Sequence, residues 1–326
     1  MSDILFEEVP CLDLADFTSG DKSKKAAFVS KLGEAYENIG FVSIKNHGLD
    51  QAMQDELYAA IQSFFSLPDD KKSKYEKPEI GFQRGYTGKG KEHAKGRNTG
   101  DLKEFYHVGQ PLDQISNDDP VKEEYVANIW PKEIPEYKDI SLKVFQTLEA
   151  AGRIMLQAIA LNLGLKENYF DSKIENGNSI LRSIHYFPIT NPEAVPADAV
   201  RAAEHGDINL ITLLMGASAD GLQVLRKDGK WIPITALPDQ LVVNVGDMLE
   251  RLTNKKLKST IHRVVNPPRE LMNTSRYSIP FFLHPRSEMD LSCLDSCVDQ
   301  DHPKAFEDCT AGEFLDERLK ELGLKK

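Results

Sequence analysis

His205-Gly206-Asp207 sets an imidazole and a carboxylate two residues apart. Along a strand or its extended exit, that spacing points both side chains to one face. A second imidazole, His262, follows 57 residues later, where a run of β-type residues begins. Two imidazoles and one carboxylate form a three-ligand set that suits iron(II) and leaves coordination positions open for substrate groups and dioxygen. A closed structural zinc site needs four protein ligands, and this pattern offers three. His-x-Asp taken alone is common by chance, and a lone histidine is more often a hydrogen-bonded core or surface residue.

A second feature raises the signal. Arg276-Tyr277-Ser278 lies on the apolar run after His262, with Arg276 and Ser278 on one side of a strand. A guanidinium beside a hydroxyl can grip a carboxylate in fixed geometry. The plainer alternative, a surface arginine in an ion pair, fits poorly with the following Ile279-Pro280-Phe281-Phe282-Leu283.

These residues need a β framework to meet. After residue 178 the chain breaks into short β-type runs: 180–187, 208–214, 222–225, 231–234, 241–245, 261–265 and 277–283, with turn residues between them. Many short strands at this spacing indicate a sandwich, barrel or jelly roll. The first half reads mainly as helices. Phe28, Leu32, Ala35, Tyr36 and Ile39 recur at helical spacing up to Gly40, a short strand is expected over 41–44, and the helical period returns from 50 to 65. Residues 78–100 read as a long loop. Val144, Leu148, Ala151, Met155, Ala158 and Ile159 mark one face of a long helix over 140–165, expected to support the β half. A Thr310…Glu313 capping box opens a last helix.

Composition narrows the partners. With 51 acidic against 40 basic side chains the formal charge is −11, which repels phosphate backbones and anionic membrane surfaces, so neither nucleic acid nor membrane is expected as a partner. No basic, apolar leader or membrane-length apolar segment is present, which leaves the cytoplasm as the expected compartment. Cys11, Cys293, Cys297 and Cys309 are too few and too unevenly placed for a disulfide framework, and their spacing is wrong for a zinc knuckle. Gly85-Tyr86-Thr87-Gly88-Lys89-Gly90-Lys91 matches a phosphate-binding P-loop up to its lysine. The next residue, Glu92, stands where Ser or Thr should bind magnesium, so nucleotide binding is rejected. Lys89, Lys91, His93, Lys95 and Arg97 could instead close over an anionic substrate, although a solvated basic loop is the commoner reading.

Taken together, several blocks resemble the isopenicillin N synthase-like family of iron(II)/2-oxoglutarate-dependent dioxygenases. They run from His205-Gly206-Asp207-Ile208-Asn209-Leu210-Ile211-Thr212, through Gly221-Leu222-Gln223-Val224 and Asn244-Val245-Gly246-Asp247, to His262-Arg263-Val264 and Arg276-Tyr277-Ser278. Gly40-Phe41-Val42-Ser43-Ile44-Lys45-Asn46-His47-Gly48 is similar to that family's N-terminal signature, and Asp101-Leu102-Lys103-Glu104-Phe105 to a block of its bacterial members. The resemblance implies an α+β fold: a double-stranded β-helix, or jelly roll, with a mainly helical N-terminal region and a long supporting helix. The expected division is 1–125, an N-terminal region with substrate-side loops, 126–290, the oxygenase core, and 291–326, a helical extension.

By the same resemblance, His205, Asp207 and His262 would bind iron(II), while Arg276 and Ser278 would hold the distal carboxylate of 2-oxoglutarate. Dioxygen would be the other co-substrate, and succinate and carbon dioxide would be released as a small molecule is hydroxylated or desaturated. The 14 positions from His262 to Arg276 exceed the gap in many plant members. Family members commonly carry a tyrosine directly before the proline of this strand, where Tyr186-Phe187-Pro188 has phenylalanine. Tyr186 is expected to face the other way and to reach the co-substrate only after a register shift. Arg182 and His185 on that strand are candidates for substrate contact or for structural ion pairing. Rival readings are a 2-oxoglutarate-independent iron oxidase, an ethylene-forming variant and, from another class, a metal-binding sensor without turnover. A monomer is the default expectation.

Overall fold

Aspartates start the N-terminal helices. Asp21 accepts from the backbone N–H groups of Ser23 and Lys24 to open the helix Lys22–Asn38, and Asp50 accepts from Met53 to open Gln51–Phe65. Gly40 ends the first of these at φ +72°, a left-handed turn where a Cβ would lie 2.1 Å from the Lys258 carbonyl oxygen. These features belong to a computed structural model that describes residues 4–91, 103–191, 201–216, 221–234, 237–267 and 269–321.

Twelve strands are found among the described residues: β1 (Cys11–Asp13), β2 (Phe41–Lys45), β3 (Gly85–Thr87), β4 (Lys103–Gly109), β5 (Ile180–Tyr186), β6 (Ala202–His205), β7 (Ile211–Met215), β8 (Leu222–Leu225), β9 (Trp231–Pro233), β10 (Leu241–Val245), β11 (His262–Val264) and β12 (Arg276–Leu283). Eight form one sheet in the order β1, β2, β10, β7, β12, β5, β4, β3, and four form a second in the order β6, β11, β8, β9. Alternation along each strand sorts side chains between two cores. Phe41, Phe105, Ile184, Tyr186 and Val242 of the large sheet meet Ala202, Leu222, Val224, Ile232 and Val264 of the small one, filling the space between the sheets. Leu213, Val243, Phe281 and Leu283 point the other way, onto helices. This is the expected α+β jelly roll.

The long helix Glu136–Asn162 lies under the large sheet. Phe145 meets the Phe281 ring edge-on, with centroids 4.9 Å apart. Gly152 permits the close approach, since a Cβ there would come within 2.3 Å of Leu283. Each fully buried aromatic or leucine at this seam contributes about 1.5–3 kcal/mol. The last helix, Ala311–Glu321, opens with the expected box: Thr310 Oγ1 accepts from Glu313 N, and Glu313 accepts from Thr310 N.

Three details differ from the expectation. The stretch read as a loop over 78–100 contains β3, too short to show a period, while residues 92–102, with His93, Lys95 and Arg97, lie outside the described residues. β6 has no apolar alternation in Ala202-Ala203-Glu204-His205 and is visible only through its pairing with β11. The strand expected from 208 begins at Ile211, because the carbonyls of Asp207, Ile208, Asn209 and Leu210 accept from the N–H groups of Gly246, Asp247 and Met248 at the start of the helix Asp247–Leu252.

Candidate metal centre

β6 and β11 pair so that His205 stands directly opposite His262, with ring centroids 4.4 Å apart. Asp207 follows β6 in the turn that hands the chain to the other sheet. Its Oδ1 lies 4.0 Å from His205 Nε2 and 3.7 Å from His262 Nε2, and one ligand atom from each residue falls within 4.8 Å of the others. Among the described residues this is the group of three or more His, Cys, Asp or Glu side chains arranged to hold a metal.

The orientation of each ligand is fixed from behind. His205 Nδ1 is 2.6 Å from the Ala203 carbonyl and His262 Nδ1 is 3.2 Å from that of Thr260. Both rings thus donate to backbone through Nδ1 and keep the Nε2 lone pair for a metal. Asp207 Oδ2 accepts from Thr212 Oγ1 at 2.6 Å and from Asn244 Nδ2 at 2.8 Å, which leaves Oδ1 toward the imidazoles. Phe41 packs edge-on against the His262 ring. Gly206 keeps the turn narrow, since a Cβ there would meet Asp247 and Ser259 side chains at 3.0 and 3.1 Å.

The electrostatics suit a cation. Desolvation by surrounding atoms, then the neighbouring His262, push the His205 imidazole down to about 4, although 46% of its side chain faces the open side of the site. Burial alone would raise Asp207. The two imidazoles and the bonds from Asn244 and Thr212 outweigh it and hold the carboxyl below its usual range. At neutral pH a neutral His205 therefore faces an ionised Asp207, the states that metal coordination requires. Two nitrogens and one oxygen, with one ligand open to solvent, fit a divalent first-row metal with vacant positions and not a closed four-ligand zinc site.

Arg276 and Ser278 share the inner face of β12, and both are buried. The pairing of β12 with β5 places Arg276 opposite Tyr186 and Ser278 opposite Ile184. The Arg276 guanidinium lies 5.0 Å from the Tyr186 ring centre. The orientation expected for Tyr186 is corrected: in this register it faces the same interior as Arg276. Phe187 lies beyond the strand end against His185 and Lys89.

Arg182 and His185 part company. Arg182 opposes His107 on β4, donates to its Nε2 at 2.7 Å, and lies over the Phe105 and Phe282 rings. Three residues on, His185 faces the helical side, bonded through Nδ1 to Glu104 and through Nε2 to Ser275. The sequence also hid the roles of Thr212 and Asn244, since both stand in the family-like blocks but neither residue type marks a metal site. Thr212→Val removes one donor to Asp207 and should weaken metal affinity about 10- to 100-fold, measurable by Mn(II) titration. Unchanged affinity would remove Thr212 from the site.

Residues 9–133 match the family described as the N-terminal region of non-haem dioxygenases in morphine synthesis, and residues 177–285 match the 2OG-Fe(II) oxygenase superfamily. The chain is 31% identical to the 2-oxoglutarate-Fe(II) type oxidoreductase ppzC of Metarhizium majus, over 99% of its own length and 89% of that protein. This chain is a 2-oxoglutarate- and iron(II)-dependent dioxygenase. Among solved structures, a 2OG-Fe(II) oxygenase family protein from Caulobacter crescentus is 41% identical, with a TM-score of 0.85 over 96% of this chain and 98% of that one. A full-length Neurospora crassa protein in complex with alpha-KG and 5-formyluracil is 30% identical, with a TM-score of 0.82 over 95% of each chain. As an oxygenase of this family the enzyme uses iron(II), 2-oxoglutarate and dioxygen, and its jelly roll and helices agree with these neighbours.

Proposed function

We propose that His205, Asp207 and His262 hold the iron, that Arg276 and Ser278 receive the distal carboxylate of 2-oxoglutarate with Tyr186 beside them, and that the enzyme hydroxylates or desaturates a small molecule. The observation that carries this reading is the meeting of three ligand atoms within 4.8 Å on strands that share an interior with Arg276 and Ser278. The alpha-KG bound to the Neurospora protein supports the co-substrate assignment.

Iron(II) with dioxygen and 2-oxoglutarate supplies the oxidising power, and succinate and carbon dioxide leave as products. The chain's own part is placement. Thr212 and Asn244 fix which oxygen Asp207 presents, and the backbone carbonyls of Ala203 and Thr260 hold the imidazole rings. Arg276, buried beneath the Tyr186 ring, meets the far carboxylate where water is excluded. Arg182, seated over Phe105 and Phe282, is the residue we assign to a polar group of the substrate. We retain residues 1–125 as the region of substrate-side loops, 126–290 as the catalytic core and 291–326 as an extension, working as a monomer. No helix among the described residues is long and apolar enough to cross a membrane. The four cysteines are free, which favours the cytoplasm.

Oxygen uptake and succinate release on adding iron(II) and 2-oxoglutarate, screened against small molecules, test the reading. Oxygen uptake without succinate would favour a 2-oxoglutarate-independent oxidase. Arg276→Ala loses a charge-assisted contact of about 1.5–3 kcal/mol, so the 2-oxoglutarate KM should rise about 10- to 150-fold. An unchanged KM would assign Arg276 to something else.

A further inference from the structure

Arg201, just ahead of β6, is 1% exposed. Its Nη2 donates to the Thr274 carbonyl at 2.9 Å, while Nε and Nη1 are buried with no hydrogen-bond partner among the described residues. Among those residues no carboxylate pairs with it. A buried guanidinium with idle donors and no counter-charge is costly, so its persistence calls for an anion that the described residues do not provide.

Its surroundings indicate where that anion sits. Thr274 is two residues before Arg276, so one hydrogen bond ties Arg201 to the start of β12. Burial, then the positive charge of Arg276, lower the Arg201 pKa, and the Tyr186 phenol opposes them. Two cations thus converge near Tyr186 from opposite sheets. A carboxylate has two oxygens and about four lone-pair sites, more than one guanidinium and one hydroxyl fill.

We propose that Arg201 is a second cationic arm of the co-substrate site, its Nε and Nη1 donating to the same distal carboxylate of 2-oxoglutarate that Arg276 and Ser278 hold. This rests on the co-substrate reading above and adds to it a residue from the small sheet, so that the carboxylate bridges the two sheets.

The test is binding without turnover. Full-length protein loaded with Mn(II) under anaerobic conditions is titrated calorimetrically with 2-oxoglutarate and with 2-oxopentanoate, which keeps the keto-acid end and replaces the far carboxylate by a methyl group. Wild type should prefer 2-oxoglutarate, and Arg201→Met should narrow that preference at least about tenfold. The ligand-free melting temperature of Arg201→Met should hold or rise, because an unpaired buried charge has gone. A preference that stays at the wild-type ratio overturns the proposal. Should Arg201→Met fail to fold, Arg201→Lys keeps the charge without the planar fork and must also narrow the ratio, by a smaller factor, for the proposal to stand. Arg276→Met separates the two ideas. If wild type shows no preference, or Arg276→Met keeps it, the co-substrate reading itself fails. If Arg276→Met loses the preference and Arg201→Met keeps it, only Arg201 is misassigned.

Discussion

Asp207→Ala should bring turnover to background and lower metal affinity by more than the roughly 10- to 100-fold that loss of a supporting partner costs. Asp207 is the one anion among the three proposed ligands. Without it a divalent ion would meet two neutral imidazoles, and its charge would be balanced by nothing the chain supplies at that point. The substitution also takes the short bonds to Asp207 Oδ2 from the Thr212 hydroxyl and the Asn244 amide, leaving them Asn209 Oδ1 and the Val245 carbonyl, each at 3.4 Å. A fully unsatisfied buried donor costs about 1–3 kcal/mol and these two keep long bonds, so a smaller loss of stability will accompany the loss of metal. Asp207→Asn separates these effects, because it keeps the side chain's volume and an acceptor oxygen while removing the charge. Mn(II) titration and metal analysis of the purified proteins check the outcome. Stoichiometric, wild-type metal binding in Asp207→Asn, together with retained activity, would sink the ligand assignment.

The largest expected effect on stability lies on the other face of the large sheet. Glu104 on β4 is 1% exposed and gathers three partners: Lys72 Nζ at 2.8 Å, His185 Nδ1 at 2.7 Å and the Tyr86 hydroxyl. Lys72 is itself buried, at the end of the short helix Asp69–Lys72. Glu104→Gln would leave that ammonium only the solvent-exposed Asp69 carboxylate, 3.2 Å away, so the loss should lie toward the lower end of the about 3–5 kcal/mol seen where buried pairs have been broken from one side. Burial pushes Glu104 up, but the bonds from His185, Lys72 and Tyr86 outweigh it and hold the carboxyl below its usual range. A carboxylate whose folded pKa is depressed stabilises fully above its unfolded value, about 4.3, and loses that contribution as pH falls through the folded value. The gap between wild type and Glu104→Gln in urea denaturation should therefore be full at pH 7 and narrow below about pH 4.3. A gap under about 1 kcal/mol at pH 7, or one that does not shrink in acid, would show that the cluster is not coupled as drawn. Ser275, held by His185 Nε2 at 2.9 Å, sits next to Arg276, so this cluster also anchors the start of β12.

The candidate metal ligands are legible in the chain because they need only two local facts, a short spacing and a residue type. His205-Gly206-Asp207 on an extended segment must aim both side chains one way, and Arg276 and Ser278 obey the same parity on β12. The helices are legible for a similar reason, since Asp21, Asp50 and Thr310 cap them through neighbours in the chain. β3 and β6 are not, because three or four residues without apolar alternation acquire strand geometry only from the partners that pair with them.

Tyr186 and His185 show where local reasoning stops. The sequence by itself determines that adjacent residues of a strand face opposite ways, and that Arg182 and Tyr186 therefore share a side while His185 takes the other. It does not determine which side is the interior. That phase is set when β5 pairs with β12, bringing Tyr186 against Arg276 and leaving His185 to Glu104, which also holds Lys72. Pairing partners come from distant parts of the chain, and the choice between the two phases is made by the burial of a whole face of apolar side chains between the sheets, a free energy that no single segment contains.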